Sequence, residues 1–167
     1  MAYYDVITRP ESARVYRQDF LLLKEQWDSY IDSPIPLNWK CVKFETGSAN
    51  QIPNEKGIYA FFIEPRIAKF PSHAYLMYIG QAGYNSERNL RKRFRDYLSE
   101  KIRPKRPLIH FMLNTWENYL YFYYAEVDPT YTDLKQLEQN LLDAFTPPFS
   151  EEGYSVEISR IVKVARR

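Results

Sequence analysis

The hydrophobic and polar positions along the chain predict three strands. Two seven-residue runs, GIYAFFI (57–63) and AYLMYIG (74–80), are rich in aromatic and branched side chains, with apolar residues at both parities. Such runs are typical of strands that are buried on both faces of a sheet. A third run, NYLYFYYAEV (118–127), has the same character and is more aromatic. These three runs predict the central sheet of the protein.

Between and around these strands, the spacing of apolar residues predicts helices. Residues 12–31 predict an N-terminal helix that ends before two prolines. Residues 87–100 predict a basic helix, and 108–116 a shorter one. Thr130 followed by Asp133 resembles a capping box, so a last helix is expected from there to Phe145. The apolar positions of the N-terminal helix are Tyr16, Phe20, Leu23, Trp27 and Tyr30.

Two further segments predict short strands, Cys41–Phe44 and Ser155–Val164. The expected fold is therefore α+β, with a small central antiparallel three-stranded sheet flanked by helices. Residues 1–54 are predicted to form an N-terminal extension of helix and loop that packs on a main unit of residues 55–167. The chain has 167 residues, of which 45% are hydrophobic and 17% aromatic, enough for one compact unit with a core of its own.

Composition excludes several classes of site. Cys41 is the only cysteine, so the chain can form neither an internal disulfide nor a metal site with two cysteines, and a reducing compartment is expected. No stretch approaches the roughly 20 apolar residues that span a bilayer, and the first seven residues do not resemble the start of a signal peptide. The sequence predicts a soluble, cytoplasmic protein with no membrane partner.

Positive charge is concentrated in one segment. Residues 86–106 contain nine Lys and Arg against three Asp and Glu, a net charge of +6 in a chain whose total is +2. A basic patch of this kind is typical of a protein that binds nucleic acid; the alternative is a solvated helix face with ordinary ion pairs. The segments 66–72 and 101–107 are further candidate contact loops. The candidate nucleic-acid-binding residues are Arg88, Arg91, Lys92, Arg95, Lys101, Arg103, Lys105 and Arg106.

One carboxylate occupies an unusual position. Glu138 lies inside the apolar stripe of the last predicted helix, which consists of Leu134, Leu137, Leu141, Leu142 and Phe145. An ionised carboxylate that faces a core costs several kcal/mol unless it is paired or binds a metal. Glu138 is therefore expected to have a partner. The candidates are a cation, an arginine in a structural ion pair, and a network of hydroxyl groups.

These features together resemble the GIY-YIG nuclease family. The family pattern has a GIY tripeptide on one strand, a YIG tripeptide on the next, an arginine on the following helix and a glutamate on a later one. This chain contains Gly57-Ile58-Tyr59, Tyr78-Ile79-Gly80, Arg93 in the string NLRKRF, and Glu138. Arg91 is the alternative to Arg93. The matched elements cover about residues 57–150, a little over half of the chain.

The resemblance implies a metal-dependent DNA endonuclease that hydrolyses phosphodiester bonds; restriction, defence and mobile-element enzymes are the candidate types. Tyr78, with a pKa lowered by nearby cations, would assist deprotonation of a water, and Tyr59 would lie beside it. Arg93 would bind the scissile phosphate. Glu138 would hold one Mg²⁺ or Mn²⁺, only weakly in the absence of substrate. Double-strand cleavage with one site per chain would need a homodimer or two successive nicks, and RNA is an alternative substrate.

Two positions depart from the family pattern. Ser150 stands where family members often carry an asparagine, and Gln81 stands where some carry a lysine. These departures keep a second interpretation open, in which the domain has the fold and binds nucleic acid but has lost efficient cleavage. A structural or protein-binding domain is the third. The combination of Tyr59, Tyr78, Arg93 and Glu138 favours the first interpretation.

Overall fold

The computed structural model describes residues 18–31, 36–67, 70–83, 87–128, 130 and 133–166. Its centre is an antiparallel sheet of four strands: β1 (Lys40–Lys43), β2 (Gly57–Ile63), β3 (Tyr75–Ala82) and β4 (Leu120–Glu126). Their order across the sheet is β1-β4-β2-β3, so β3 forms one edge. The α+β class is confirmed. The prediction of three strands is wrong, because β1 pairs with β4 along its whole length and adds a fourth.

Within the described residues, five α-helices and one short 3₁₀ helix surround the sheet. They are α1 (Lys24–Ile31), the 3₁₀ helix (Thr46–Gln51), α2 (Leu90–Ile102), α3 (Pro107–Thr115), α4 (Leu134–Phe145) and α5 (Val156–Ala165). No helix within the described ranges combines the length and the apolar character needed to cross a bilayer.

The two faces of the sheet have separate cores. On one face, side chains of α2 and α3 pack against Tyr59, Phe61 and Phe122. On the other, the leucines of α4 pack against Ile58, Ala60 and Ile79. Because successive side chains of a strand point to opposite faces, β2 contributes to both cores. This arrangement explains why its sequence is a continuous apolar run.

The N-terminal helix is shorter than its periodicity predicts. It begins at Lys24, and residues 18–23 are not helical; the predicted positions 12–17, including Tyr16, lie outside the described residues. Tertiary contacts replace helical ones in 18–23. The ring of Phe20 packs against that of Tyr75 with centroids 5.9 Å apart, and the Leu21 carbonyl accepts a 3.0 Å hydrogen bond from the Thr146 hydroxyl.

The predictions for the last two elements also need correction. Helix α4 begins at Leu134, and its N-cap is Asp133, whose carboxylate accepts the N–H groups of Lys135 and Gln136 at 2.9 and 3.2 Å. Thr130 therefore does not cap it. Residues 155–164, predicted as a strand, begin a helix instead. The Ser155 hydroxyl caps that helix, and this capping outweighs the strand preference of its β-branched residues.

The two motif glycines permit close packing of the sheet. Gly57 faces β4, where a Cβ atom would collide with the backbone carbonyl oxygen of Ala125. Gly80 lies opposite Tyr59, and a Cβ there would collide with the phenolic hydroxyl of Tyr59. The two tripeptides are therefore needed for packing, whatever their chemical role. Gly80 of the YIG tripeptide leaves the space that Tyr59 of the GIY tripeptide occupies.

We expect Gly80→Ala to destabilise the protein by about 1–3 kcal/mol, because Tyr59 is fully buried and cannot move aside. In a Tyr59→Leu background the loss should be smaller, because leucine lacks the hydroxyl, Cζ and Cε2 atoms that would lie within 3.0 Å of the added methyl group. The measurement is urea unfolding of the single and double variants. Gly47→Ala is the control, because no atom lies within 4 Å of a Cβ at that position. Equal losses in the two backgrounds would contradict this packing account.

Candidate active site

Three tyrosines meet on the α2 side of the sheet. Tyr59 and Tyr78 project from the same face, because Phe61 is the partner of Tyr78 and Gly80 the partner of Tyr59 in the register of β2 and β3. Their rings stack at 29° with centroids 6.4 Å apart. Tyr97 of α2 completes the group: its hydroxyl lies 3.0 Å from that of Tyr59, and its ring lies 6.1 Å from that of Tyr78.

Arg93 joins this tyrosine cluster (Tyr59, Tyr78 and Tyr97). Its Nε and Nη2 groups donate hydrogen bonds of 3.2 and 2.8 Å to the Tyr59 hydroxyl. Its guanidinium carbon lies 5.5 Å from the ring centroid of Tyr97. Asp96, 3.7 Å away, is its one ion-pair partner in the described part of the chain. The guanidinium is thus held at two sides, as a group that binds an anion in a fixed orientation should be.

Arg91, the alternative to Arg93, points elsewhere. Its Nε donates a 2.6 Å hydrogen bond to the Ile52 carbonyl, and its Nη2 donates one of 3.4 Å to the Asn50 carbonyl. These bonds attach α2 to the chain that follows the 3₁₀ helix. Of the two arginines, Arg93 is the one that contacts the motif tyrosines.

The pKa of Tyr78 is raised well above its ordinary value. Burial is the main cause, and the neighbouring Tyr97 adds to it, while the positive charges of Arg106 and Arg93 only partly oppose it. The expectation of a lowered pKa is therefore wrong for the protein without ligands. At neutral pH Tyr78 is a protonated phenol, which can orient a water by hydrogen bonding but is a poor base until further positive charge arrives.

Glu138 lies beside the outer edge of β3, the edge that pairs with no other strand of the sheet. Its carboxylate is mostly buried, and burial raises its pKa to about 7, although the charge of Arg93 and the backbone N–H of Gln81 favour the ionised form. In the described part of the chain it forms no ion pair, so the structural glutamate–arginine bridge is not present. The buried carboxylate is thus left without a cation in direct contact, which is an unfavourable state unless a ligand relieves it.

The free edge of β3 explains the position of this carboxylate. Along a strand, alternate residues direct their N–H and C=O groups to the same side. The outward carbonyl of Met77 accepts the N–H of Phe149 at 2.9 Å, and the outward N–H of Ile79 lies 3.4 Å from the Ser150 hydroxyl. Gln81 is the next outward residue, and its N–H interacts with Glu138. The turn after α4 and Glu138 therefore cover the edge together.

This arrangement also assigns a task to Ser150. Its side chain is buried, and its hydroxyl accepts the N–H of Ile79, the middle residue of the second tripeptide. Its backbone carbonyl accepts a 2.9 Å hydrogen bond from Tyr154. Ser150 thus fixes the β3 edge beside Tyr78, and its contacts are those of a structural residue.

The raised pKa of Glu138 makes stability depend on pH. The folded state holds the proton up to about pH 7, whereas the ordinary glutamate pKa is 4.5. The resulting stabilisation is complete below pH 4.5 and is lost as the pH rises through 7, a loss of about 3 kcal/mol. We expect Glu138→Gln to be more stable than the wild type at pH 8 and to lose this slope, measured by urea unfolding from pH 4.5 to 8.5.

The control for that measurement is Glu152→Gln, which removes the same charge from an exposed position. It should keep the wild-type dependence on pH. A wild-type slope that survives in Glu138→Gln would show that another group causes it.

The basic residues of α2 and the following loop surround the site unevenly. Arg88 pairs with Asp96 at 3.5 Å, and Lys92 donates to the Glu87 carbonyl at 3.2 Å. Arg95 donates to the Asn50 side chain at 3.3 Å. Arg88 lies just before α2, and Lys92 and Arg95 are on its outer face, as the helical periodicity predicts. All three side chains are exposed and keep their charges in water.

Further along the segment, Lys101 pairs with Glu117 at 2.5 Å, and Arg103 and Lys105 are exposed. Arg106 differs from all of these, because it binds the buried carboxylate of Glu100 at 2.6 Å. In the other candidate loop, Arg66 is held by Glu64 at 2.9 Å, and 68–69 lie outside the described residues. Most of these cations already have partners, yet their charges remain on the surface.

Tyr97 is the site residue that the motif comparison missed. In the sequence it follows Arg93 by four residues, one helical turn, so the two side chains are expected on the same side of the helix. A hydroxyl group beside Arg93 was the available signal. In the structure Tyr97 is fully buried and contacts both motif tyrosines and Arg93.

The donor set limits the metal that the site can hold. Among the described residues there is no group of three or more His, Cys, Asp or Glu side chains arranged to ligate an ion. Glu138 supplies a single carboxylate that pairs with no cation in the part of the chain that the structure describes. One carboxylate fits a Mg²⁺ ion whose remaining ligands are water and substrate phosphate, and it does not fit a Zn²⁺ or Ca²⁺ site built by the protein alone.

Comparisons of this chain with protein-family models, with curated proteins and with solved structures found no match. The resemblance to GIY-YIG nucleases therefore depends on the motif residues and on their arrangement in the fold.

Proposed function

We propose that this protein is a metal-dependent endonuclease that hydrolyses phosphodiester bonds in DNA at the tyrosine cluster. The observation that carries the proposal is the convergence of residues from separate elements. Tyr59 of β2 contacts both Tyr78 of β3 and Arg93 of α2, and Glu138 of α4 lies close enough for the charge of Arg93 to oppose the rise of its pKa. Titratable groups with perturbed pKa values that meet in one place are typical of functional sites.

Each residue has a task in that reaction. Arg93, oriented by the Tyr59 hydroxyl, binds non-bridging oxygens of the phosphate and stabilises the charge that develops on them. Tyr78 orients the attacking water by hydrogen bonding as a protonated phenol. It can take the proton of that water only after its own proton has passed to solvent, a loss that the charge of a bound metal ion would favour. Glu138 would hold the metal ion. When bound, Mg²⁺ supplies Lewis-acid stabilisation of the phosphate and of the leaving oxygen.

A second function, nucleic-acid binding without cleavage, is favoured by one specific observation. The pKa of Tyr78 is raised, and the neighbouring Gln81 supplies no charge that would lower it. Under this alternative the basic surface of α2 binds the phosphate backbone and the tyrosine cluster is inert.

The two functions are separated by incubating supercoiled plasmid with the protein in Mg²⁺ or Mn²⁺, with EDTA as the control. The endonuclease produces nicked or linear plasmid that disappears with EDTA and with Glu138→Ala. If wild type and variant are equally inert and both retard DNA in a salt-dependent manner, the protein is a binding module. Neither cleavage nor retardation would leave a structural role. Linear product without a nicked intermediate would indicate that two protomers act together.

A further inference from the structure

Arg106 is anchored in a way that no other exposed cation of the basic segment shares. It forms the N-cap of α3, and Glu100 of α2 binds it three times. One carboxylate oxygen accepts the backbone N–H of Arg106 at 2.9 Å and its Nε at 3.0 Å, and the other oxygen accepts Nη2 at 2.6 Å. Glu100 is only 5% exposed, so the position of the guanidinium is fixed from inside the protein.

The fixed guanidinium faces the tyrosine cluster. Its carbon lies 5.2 Å from the ring centroid of Tyr97, and the carbon of Arg93 lies 5.5 Å from the same centroid. Burial has the largest effect on the pKa of Tyr78 and raises it, whereas the charges of Arg106 and Arg93 both act to lower it. Two guanidinium groups thus border the tyrosine cluster. The Tyr59 hydroxyl holds that of Arg93, and Glu100 holds that of Arg106.

Arg106 also keeps an accessible side. Its side chain is 43% exposed, whereas that of Arg93 is 19% exposed. Nε and Nη2 are the atoms bound to Glu100, and the guanidinium also hydrogen-bonds to the Tyr97 side chain. Its exposed part is what a phosphate could reach. A planar donor that is rigid on one side and open on the other is suited to a phosphate oxygen.

We propose that Arg106 is a second phosphate-binding residue of this site, which binds the substrate phosphodiester together with Arg93. Glu100 is its positioning residue. This inference rests on the proposed function, because it assigns a part of the same substrate to a residue outside the family motif. The competing explanation is that Arg106 only fastens α3 to α2.

The test compares Arg106→Lys with Arg160→Lys, an exposed arginine of α5 far along the chain. Lysine keeps a positive charge beside Glu100, which protects the fold, but it lacks the planar group of donors. We expect Arg106→Lys to stay folded at the assay temperature, with a lower melting temperature because one ammonium cannot replace both side-chain bonds to Glu100. It should lower the single-turnover cleavage rate at saturating plasmid by about 10²-fold. Arg160→Lys should cleave at the wild-type rate.

A double variant, Glu100→Gln with Arg106→Gln, removes both members of the buried pair, so that neither is left unpaired. It should bind a fluorescent DNA duplex in EDTA more weakly than Arg160→Gln does, with a salt-dependence slope reduced by about one. Wild-type cleavage by Arg106→Lys, or duplex binding by the double variant equal to that of Arg160→Gln, would overturn the inference. If the wild type cleaves nothing, the proposed function fails, and the duplex comparison alone decides the role of Arg106.

Discussion

Replacing Glu138 by glutamine should reduce metal-dependent cleavage by at least about 10²-fold while leaving the protein folded and, at pH 8, more stable than the wild type. Glutamine has almost the same shape but cannot bind Mg²⁺ as a carboxylate does. Because burial raises the pKa of Glu138 to about 7, removing its charge relieves the folded state. Lost activity together with gained stability is typical of a buried catalytic group. The measurement pairs single-turnover plasmid cleavage with urea unfolding.

The pH dependence of cleavage supplies a second readout of the same residue. A carboxyl group must lose its proton to bind a metal ion. At limiting Mg²⁺ the wild-type rate should therefore rise with pH to a midpoint near 7, and the midpoint should move lower as the Mg²⁺ concentration increases. Glu152→Gln should follow the wild type. A midpoint that does not respond to Mg²⁺ would contradict the assignment of the metal to Glu138.

Replacing Arg93 should have the second large effect. In Arg93→Lys the positive charge remains on α2, but one ammonium cannot bond to Tyr59 through two nitrogens and present a planar edge to a phosphate. We expect the single-turnover rate to fall about 10³-fold, with a much smaller change in DNA affinity, because the remaining surface cations still bind the backbone. Cleavage and filter binding are measured on the same preparations.

The matched control is Arg160→Lys, the same substitution on the exposed face of α5. It should leave both quantities at their wild-type values. Arg93→Lys with a near-normal cleavage rate would show that the guanidinium is not at the reacting phosphate. An equal loss of affinity and of rate would assign Arg93 to substrate binding alone.

Patterns with strong periodicity predicted the core of the fold. The strands β2, β3 and β4 follow directly from apolar runs, and the leucine stripe of α4 places Glu138 correctly on its inner face. The antiparallel arrangement is confirmed. The fourth strand was visible only as a short segment at Cys41–Phe44, because its membership in the sheet depends on pairing with β4, a contact distant in sequence.

Local signals failed where tertiary contacts or caps decide the outcome. Phe20 and Leu23 have helical spacing, yet residues 18–23 are held by contacts with β3 and with the turn after α4. At 155–164, β-branched residues favour a strand, but Ser155 caps a helix that buries Ile158 and Val162. Asp133, the second member of the predicted capping box, is itself the cap.

The sequence selects the residues of the candidate site but not their electrostatics. The motif pattern selects Tyr59, Tyr78, Arg93 and Glu138, and in the structure Tyr59 contacts both Tyr78 and Arg93. The motif pattern could not show that burial raises the pKa of Tyr78 by more than the nearby cations lower it, since that balance depends on how Tyr97 and α2 cover the ring. Nor could it show that Ser150 is used by the β3 edge, or that Glu100 directs Arg106 at Tyr97.

The most direct test is to locate Mn²⁺ by anomalous scattering in crystals grown with thymidine 3′,5′-bisphosphate, a small molecule that offers two phosphates without sequence specificity. The ion should lie about 2.0–2.6 Å from a carboxylate oxygen of Glu138, with a phosphate bridging from the ion to the guanidinium of Arg93. An ion bound at any other carboxylate, or a phosphate held away from Arg93 while Glu138 stays without metal, would contradict the proposed active site.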